Sequence, residues 1–411
     1  MKTAFLFSGQ GSQYVGMGKQ AHDNCLQAKE IFQAASDFYG QDIARLCFSS
    51  TASELQKTKN AQIAVFTSSL ANYQFCLQFI EKPDVCAGHS LGEISALTAC
   101  GAIHIEDAVR IVRIRSSLMS EIDGQIQGGM LAVIGEAHDV INELCNKMSA
   151  AYQIYISAYN TNNQTVLSGS MEAIEAITPR LKEYGFKTIP LKTSGPFHCP
   201  IYAQASERLY AALCTISFQQ MDCDVISSVT SKLYEDSRSI PHILSQQLIK
   251  PIQWRSVTQY LADKGFLRLI DIGPGETLKV LTRHMDIPTY AVEFDLEQLK
   301  MMPKEMLILL VKRCMAISVC TPNSNWDNNH YQKGVVEPYR KLEVLLHSAK
   351  EAMISDLKQI YKTAYESVSL LSIIFETKQT PVNEQVSRFQ QLIREVGYPE
   401  IMNQFIKAIN V

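Results

Sequence analysis

A serine between two glycines is the first feature of this sequence whose residue types and spacing could do chemistry. Gly88-His89-Ser90-Leu91-Gly92 follows the strand-like residues DVCA and leads into the helical stretch ISALTAC. So sharp a turn between strand and helix needs glycines beside it, and it exposes the serine hydroxyl at a helix N-terminus. The amide of Leu91 can then meet a developing oxyanion. The pattern predicts that Ser90 is a nucleophile.

A serine nucleophile needs a general base, which is usually histidine. Of the nine histidines, His198 lies in the rigid loop SGPFHCP, between the predicted strand KTIPLK and a helical stretch. Such a loop can hold a side chain over a cleft. His89 adjoins the serine, but we expect it to point away along the turn and to pack inside it. We predict that His198 is the base; the alternative is an ordinary core or surface histidine.

One arginine stands on the apolar face of a predicted helix. The stretch EDAVRIVRIRSSLMSEI has an apolar stripe that includes Val112 and Met119, and position 115 of this stripe is arginine. A guanidinium removed from water needs a carboxylate or a phosphate, and its planar fork fits two carboxylate oxygens. Two interpretations of Arg115 follow: a salt bridge to a distant acidic residue, or a bond to a carboxylate of the substrate.

Three further segments are predicted to be turns. Ser8-Gly9-Gln10-Gly11-Ser12-Gln13 follows the first predicted strand, and its glycines let backbone amides approach a bound group, as an oxyanion hole requires. It lacks the spacing of a dinucleotide-binding loop and the lysine of a P-loop, so a plain strand-to-helix turn is the alternative. The segments PIQW, at 251–254, and DIGPG, at 271–275, are typical of turns at a sheet edge.

The elements around these residues alternate between short apolar runs and amphipathic stretches, which is typical of an α/β fold. Between about Gly128 and Thr193, three predicted strands and two helical stretches indicate a small α+β insert. Beyond about residue 296 strand signals are few, and helical spacing of apolar residues from Pro338 to Phe375 predicts a helical module. The apolar positions are Leu342, Leu345, Ala349, Met353, Leu357, Ile360, Ala364, Val368 and Leu371.

Composition excludes several classes of protein. With 46% hydrophobic and 19% charged residues, the 411-residue chain is neither collagen-like nor wholly disordered, and its length favours two or three domains. A net charge of -3 offers no basic field for nucleic acid. The N-terminus lacks the pattern of a secretory signal, and no apolar stretch approaches the roughly 20 residues needed to cross a bilayer. We therefore predict a cytoplasmic protein with no nucleic-acid or membrane partner.

Cysteine usage agrees with a reducing compartment. The eleven cysteines are scattered, odd in number and form no Cys-x-x-Cys pair. This spacing predicts neither a disulfide framework nor a zinc site.

Six motifs together resemble one family. GQGSQ, GHSLGE, Arg115, GPFHC, PIQW and DIGPGETL occur in the order and spacing of malonyl-CoA:acyl carrier protein transacylases, over about residues 1–295. The resemblance implies an α/β-hydrolase-like large subdomain at 1–125 and 196–296 and a ferredoxin-like small subdomain at 126–195. A helical C-terminal extension at 297–411 would follow. Chains extended in this way resemble the discrete, trans-acting acyltransferases of modular polyketide synthases.

The resemblance also implies a role for each motif. Ser90 would carry the acyl group, His198 would be its base, and Arg115 would pair with the malonyl carboxylate. The amides of Gln10 and Leu91 would form the oxyanion hole.

Two further roles come from the same resemblance. The histidine of this family is oriented by a backbone carbonyl, which maps to Gln253 in PIQW. Phe197 before the base and Leu91 after the nucleophile resemble the malonyl-selective pattern, because a bulky ring would crowd an α-methyl group. Departures from the family are Ser8 and Cys199, where Pro and Ser are common, and NTNNQ at 160–164 in place of Asn-Ser-Pro-Gly-Gln.

The implied reaction moves malonyl from malonyl-CoA to the phosphopantetheine thiol of an acyl carrier protein of a polyketide or fatty-acid synthase. It needs no bound cofactor and no metal. The alternatives are a housekeeping fatty-acid transacylase, a hydrolase that releases stalled acyl groups from carriers, and a non-catalytic docking protein. Relatives of the hydrolase type tend to lack the arginine, and the intact Ser90, His198 and Arg115 disfavour a docking protein. The extension either docks to a synthase or braces the core.

Overall fold

The computed structural model describes residues 2–149, 152–351 and 357–409. They separate into two compact units. The core unit comprises Thr3–Cys76 and Lys82–Asp295, and the C-terminal unit comprises Met1–Lys2, Leu77–Glu81 and Leu296–Val411. The domain limits predicted above stay a prediction.

The strands all lie in the core unit. They are β1 Thr3–Phe7, β2 Val85–Gly88, β3 Gly128–Ile134, β4 Ile154–Thr161, β5 Gln164–Ser170, β6 Lys187–Leu191, β7 Asp224–Ile226, β8 Arg268–Asp271 and β9 Thr289–Ala291.

Helices occur in both units. Those of the core unit are α1 Lys19–Asn24, α2 Leu26–Tyr39, α3 Ile43–Ser49, α4 Ala52–Gln56, α5 Thr58–Cys76, α6 Leu91–Ala99, α7 Ile105–Asp123, α8 His138–Ser149, α9 Met171–Glu183, α10 Ala203–Leu213, α11 Ile240–Gln246, α12 Trp254–Asp263 and α13 Thr277–Leu281. Those of the C-terminal unit are α14 Leu296–Cys320, α15 Asn328–Tyr331, α16 Glu337–Glu351, α17 Leu357–Thr377, α18 Val382–Val396 and α19 Pro399–Ile409.

The large sheet of the described residues is parallel, in the order β7-β2-β1-β8-β9. Its central strands are buried along their whole length, which is why they appear in the sequence as continuous apolar runs. β1 pairs with β2 on one side and with β8 on the other. The loops that follow these three strands therefore meet at one edge of the sheet, where open α/β sheets bind ligands.

The small sheet is antiparallel, in the order β4-β5-β3-β6. Together with α8 and α9 it gives the order β3-α8-β4-β5-α9-β6, which is the ferredoxin-like split βαβ arrangement. One apolar core lies between this sheet and its two helices. The predicted fold class, an α/β core with a ferredoxin-like insert and a helical C-terminus, is confirmed.

The regular elements of the C-terminal unit are helices among its described residues, and they form an apolar core drawn mainly from α14, α16, α17, α18 and α19. The predicted apolar stripe falls on two helices, since α16 ends at Glu351 and α17 begins at Leu357. Met353 of that stripe lies outside the described residues. Among the helices described, none has both the length and the hydropathy to cross a membrane.

Candidate active site

The turn after β2 holds Ser90 in a strained backbone conformation, with φ 55° and ψ -113°. A Cβ on Gly88 would lie 1.9 Å from the backbone of Gly92, and a Cβ on Gly92 would lie 1.9 Å from the carbonyl oxygen of Phe7. No side chain fits at either position, so the two glycines are required by the close approach of the backbone. The turn places the Ser90 hydroxyl beyond the carboxyl ends of the parallel strands.

The hydroxyl of Ser90 meets the imidazole of His198. Ser90 Oγ lies 2.8 Å from His198 Nε2, and His198 Nδ1 lies 2.7 Å from the carbonyl oxygen of Gln247. A carbonyl only accepts, so Nδ1 carries the proton and Nε2 is left as an acceptor for the hydroxyl proton of Ser90. This is the tautomer that a general base requires.

His198 is a neutral base in this site. Its side chain is buried, and burial lowers its pKa to about 3, with a further lowering by the charge of Arg115. Desolvation acts in this direction because it disfavours the charged imidazolium. The base is therefore available without first losing a proton to solvent.

The loop that carries His198 is anchored to the C-terminal end of α7. Asp123 accepts hydrogen bonds from the Tyr202 hydroxyl at 2.6 Å and from the Ser194 hydroxyl at 2.9 Å. These bonds lie on either side of His198 in sequence, so they fix the loop before and after the base. His198 itself takes the left-handed backbone region, with φ 59°, a strain that the anchored loop maintains.

The prediction that the Gln253 carbonyl orients His198 is wrong, because His198 bonds the Gln247 carbonyl instead. The carbonyl of Gln253 accepts from the Val257 amide at 3.0 Å where α12 begins, and its own amide donates to Ser228. Gln247 takes its place because it is the C-cap of α11, where a carbonyl has no partner within the helix. Nothing in the sequence around Gln247 marks that role.

Arg115 lies where the sequence placed it, on the buried face of α7, with 1% of its surface exposed. Its Nη1 donates to Gln62 Oε1 at 2.8 Å, and its Nη2 donates to Ser90 Oγ at 3.0 Å and Gln247 Oε1 at 3.1 Å. Its Nε has no hydrogen-bond partner among the described residues. Burial lowers the pKa of Arg115 to about 10, so the guanidinium is charged at neutral pH.

The salt-bridge alternative for Arg115 finds no acidic partner among its hydrogen bonds in the described part of the chain, which all go to neutral oxygens. A buried guanidinium with an unused N–H, 3.0 Å from the hydroxyl of Ser90, suits an anionic ligand. This geometry favours the interpretation that Arg115 binds a ligand carboxylate.

A buried carboxylate lies behind this site. Glu93 accepts from Ser228 Oγ at 2.5 Å, Tyr234 OH at 2.6 Å and Gln247 Nε2 at 2.7 Å. Gln247 Nε2 also donates to the Ser90 carbonyl at 3.0 Å. The amide of Gln247 thus turns its nitrogen toward Glu93 and its oxygen toward Arg115. One residue positions the nucleophile, the base and the arginine.

The first loop lies against the nucleophile turn. A Cβ on Gly9 would approach the carbonyl oxygen of His89 to 2.4 Å, and the side chain of Gln10 accepts from Gln62 Nε2 at 3.2 Å. Leu91 is the first residue of α6, where amides lack intrahelical acceptors. Gln10 and Leu91 therefore occupy the two segments that an oxyanion hole beside Ser90 would use.

A cavity of 480 Å³ opens over Ser90, His198 and Arg115. Its walls come from the first loop, the small sheet and α13, and they are mostly apolar, as in small-molecule sites. Phe197 lines it, whereas the Leu91 side chain is fully buried and is not among the lining residues described. The apolar wall residues include Met119, Met130, Ala132, Val166, Leu191, Leu278 and Leu281.

Comparison with known proteins identifies the family. A model of the acyl transferase domain matches residues 4–286. A curated Bacillus subtilis protein, malonyl CoA-acyl carrier protein transacylase, is 32% identical over 398 residues, covering 93% of this chain and 98% of that protein. The chain belongs to the malonyl-CoA:acyl carrier protein transacylase family.

Other transacylases of this family match a smaller share of this chain. One of the same name from Bacillus subtilis strain 168 is 35% identical over 287 residues, covering 69% of this chain and 90% of that protein. A solved complex described as a type II PKS acyl-carrier protein with its malonyl-transacylase matches with a TM-score of 0.68 and 31% identity. It covers 71% of this chain and 95% of the matched chain.

The departures from the family pattern are accommodated locally. Ser8 Oγ donates to Asp271 at 3.1 Å, and the Cys199 thiol donates to the Pro196 carbonyl at 2.9 Å. In the NTNNQ segment, Asn160 Nδ2 donates to the Gln164 side chain, and Asn160 Oδ1 lies 2.9 Å from His89 Nε2. His89 does not stay inside the turn as predicted: its ring reaches Asn160 in β4 and Trp254 at the start of α12, and it lines the cavity.

Sequence reasoning missed three members of the transacylase site. Glu93 stands inside GHSLGE, where a buried acid at the start of a helix could have drawn attention. Gln62 is a fully buried amide in the otherwise apolar run AQIAVF of α5, which was a usable signal. Gln247 contributes through its backbone as well as its side chain, and residue type does not reveal a backbone contact.

Proposed function

We propose that this transacylase moves a malonyl group from malonyl-CoA to the phosphopantetheine thiol of an acyl carrier protein, through an ester on Ser90. The observation that supports it best is the convergence on one oxygen: a neutral imidazole at 2.8 Å and a charged guanidinium at 3.0 Å from Ser90 Oγ. The first activates the hydroxyl, and the second provides a partner for the free carboxylate of malonyl.

The first half-reaction forms the ester. His198 Nε2 takes the proton of Ser90 Oγ as the oxygen attacks the thioester carbonyl. The amides of Gln10 and Leu91 stabilise the oxyanion, and the imidazolium then gives its proton to the departing coenzyme A sulfur. Arg115 holds the malonyl carboxylate while Gln247 keeps the imidazole in the required tautomer.

The second half-reaction repeats these steps with a different thiol. His198 takes the proton of the phosphopantetheine thiol, the sulfur attacks the ester carbonyl, and Ser90 Oγ leaves with the proton from the imidazolium. A hydrolase of carrier-bound acyl groups would not need the carboxylate partner that Arg115 supplies.

Intact-mass measurement after mixing with malonyl-CoA tests the proposal. The wild-type protein should gain one malonyl group, located at Ser90 by peptide mapping, and Ser90→Ala should gain none. Ser95→Ala is the matched control, because Ser95 is a fully buried serine of α6, the helix that follows Ser90, and its hydroxyl has no partner among the described residues. Acylation of Ser90→Ala at the wild-type rate would contradict the assignment.

The choice of malonyl is proposed to depend on Phe197, which lines the cavity. Its ring would crowd an α-methyl group, and rejection of one methyl contributes roughly 1–3 kcal/mol. Competition between malonyl-CoA and methylmalonyl-CoA should favour malonyl, and Phe197→Ser should weaken the preference by about 10-fold or more. Equal consumption of both donors by the wild type would overturn this role.

We propose that the malonyl group is delivered to polyketide biosynthesis rather than to housekeeping fatty-acid synthesis. The support is the helical extension after about residue 296, since chains extended in this way resemble the discrete acyltransferases of polyketide synthases. Transfer rates to polyketide and fatty-acid carrier proteins of the source organism, measured side by side, test this. Faster transfer to the fatty-acid carrier would reverse the assignment.

A further inference from the structure

Three cysteine thiols far apart in sequence meet in the core unit. Cys86 lies in β2, Cys100 follows the last residue of α6, and Cys223 precedes the first residue of β7. Their three sulfur atoms lie within 4.8 Å of one another. All three are free thiols; Cys86 and Cys100 are buried, and Cys223 is half-buried.

Chain topology explains the meeting. β7 runs parallel to β2 with Cys86 opposite Val225, so the residue before β7 lies near the amino end of β2. α6 returns along the sheet from Ser90, which brings Cys100 back to that end. The Asp222 amide donates to the Cys100 carbonyl at 2.8 Å and ties the two segments together. The cluster lies at the opposite end of the β2–α6 unit from Ser90.

We propose that Cys86, Cys100 and Cys223 form a binding site for one thiophilic cation of the class of Zn²⁺ and Cu⁺. Thiolates are soft ligands that select these ions over Mg²⁺ and Ca²⁺. With Zn–S bonds of about 2.3 Å in tetrahedral geometry, ligand sulfurs lie roughly 3.8 Å apart, which the observed spacing accommodates. A fourth position can be taken by water, and the half-buried Cys223 marks the side from which an ion enters.

Proton release should accompany binding. Cys86, Cys100 and Cys223 are free thiols, and the Cys223 thiol donates to the Pro83 carbonyl at 3.3 Å. A thiol binds these cations as its thiolate, so binding displaces thiol protons into solvent and affinity should increase with pH.

The role of the site is structural. The bound ion would join the ends of β2, α6 and β7, the elements that carry and flank the nucleophile turn, and would stabilise the folded state by mass action. The Cys-x-x-Cys spacing of ordinary zinc motifs is absent from the sequence, because the three ligands come from separate elements.

Metal titration of the full chain tests the proposal. The reduced, metal-free protein is titrated with Zn²⁺ and, separately, with chelator-buffered Cu⁺, and bound metal is counted by native mass spectrometry together with the melting temperature. One ion per chain and a rising melting temperature are expected. Cys223→Ala should weaken binding by more than about 100-fold, beyond the effect of losing an outer-shell partner. Cys76→Ala, at a buried cysteine outside the cluster, and Cys214→Ala, at an exposed one, should bind like the wild type.

A measurement on the wild type guards against a variant that fails to fold. Bound Zn²⁺ should protect Cys223 from alkylation while leaving the exposed Cys214 reactive. The proposal is overturned if no ion binds, if Cys223→Ala binds as tightly as the wild type, or if mild oxidation links two of the thiols and no cation binds the reduced protein. Malonyl transfer by the metal-free protein is a separate assay, so failure here leaves the proposed function standing.

Discussion

Arg115 of the core unit and Lys378 of the C-terminal unit are both buried cations, and they are held in different ways. Lys378 of the C-terminal unit donates from Nζ to the carbonyl oxygens of Ser318 and Thr321, both at 2.7 Å. These carbonyls lie at the C-terminal end of α14, where partners are missing and the helix dipole is negative. Within the residues that the structure describes, Arg115 of the core unit bonds only side-chain oxygens, and its Nε has no partner.

The difference is the one expected between a cation that stabilises the fold and a cation that binds a ligand. Burial lowers the pKa of both groups, so desolvation alone does not distinguish them. Lys378 donates to main-chain carbonyls at the end of α14, and a ligand cannot take the place of these acceptors. Arg115 lines a cavity beside Ser90, and the hydrogen-bond partners described for it are neutral side-chain oxygens. A buried charge with unused donors in a cavity indicates a ligand, whereas one bound to main-chain carbonyls indicates a packing role.

Removing the functional cation should have the largest effect. In Arg115→Ala, malonyl transfer should fall about 30- to 150-fold, since a charge-assisted bond to a carboxylate contributes roughly 2–3 kcal/mol. Acylation of Ser90 by acetyl-CoA should persist, because acetyl has no carboxylate to lose. Rates for both donors are compared with those of Arg110→Ala, an exposed arginine of the same helix. A parallel fall for both donors, with early melting, would make Arg115 a structural residue.

Removing the structural cation should give the opposite pattern. Lys378→Met leaves two carbonyls at the end of α14 without their donor, and the free energy of unfolding should fall by about 2 kcal/mol. Malonyl transfer per folded molecule should not change. Denaturant unfolding and transfer rates are measured beside Lys362→Met, at an exposed lysine of α17. An unchanged stability, or a selective loss of malonyl transfer, would contradict the structural role of Lys378.

The smallest effect concerns pH. Because the pKa of His198 is about 3 rather than 6.5, acetylation of Ser90 should not decline as pH falls through 6.5. Arg115 contributes to the lowering, so the decline should move to higher pH in Arg115→Ala and stay in place in Lys378→Met. A pH–rate profile for each protein, with acetyl-CoA as donor, checks this. A wild-type decline centred near pH 6.5 would show that His198 titrates as an ordinary histidine.

The same pKa sets a stability trend with a definite sign. The unfolded chain binds a proton on His198 below about pH 6.5, whereas the folded chain binds it only near pH 3. Stability from this residue is therefore fully present above pH 6.5 and is lost progressively as pH falls from 6.5 toward 3.

Sequence alone determined the features that depend on short stretches of chain. Ser90 and its glycines could be predicted because a strand-to-helix turn is a local backbone requirement, and Arg115 because helical spacing places it among apolar neighbours. The small α+β insert followed from the order of its elements, and its ferredoxin-like arrangement was implied by the resemblance to the family. His198 could be selected from its rigid loop, although its distance from Ser90 could not.

Tertiary structure alone decided contacts between distant segments. Gln247 rather than Gln253 accepts from His198, because the free carbonyl at the end of α11 happens to face the imidazole, and a backbone acceptor has no residue signature. The Glu93 network and the cluster of Cys86, Cys100 and Cys223 arise in the same way. Each joins elements separated by many residues, so sheet order and helix direction, rather than spacing along the chain, bring their polar atoms together.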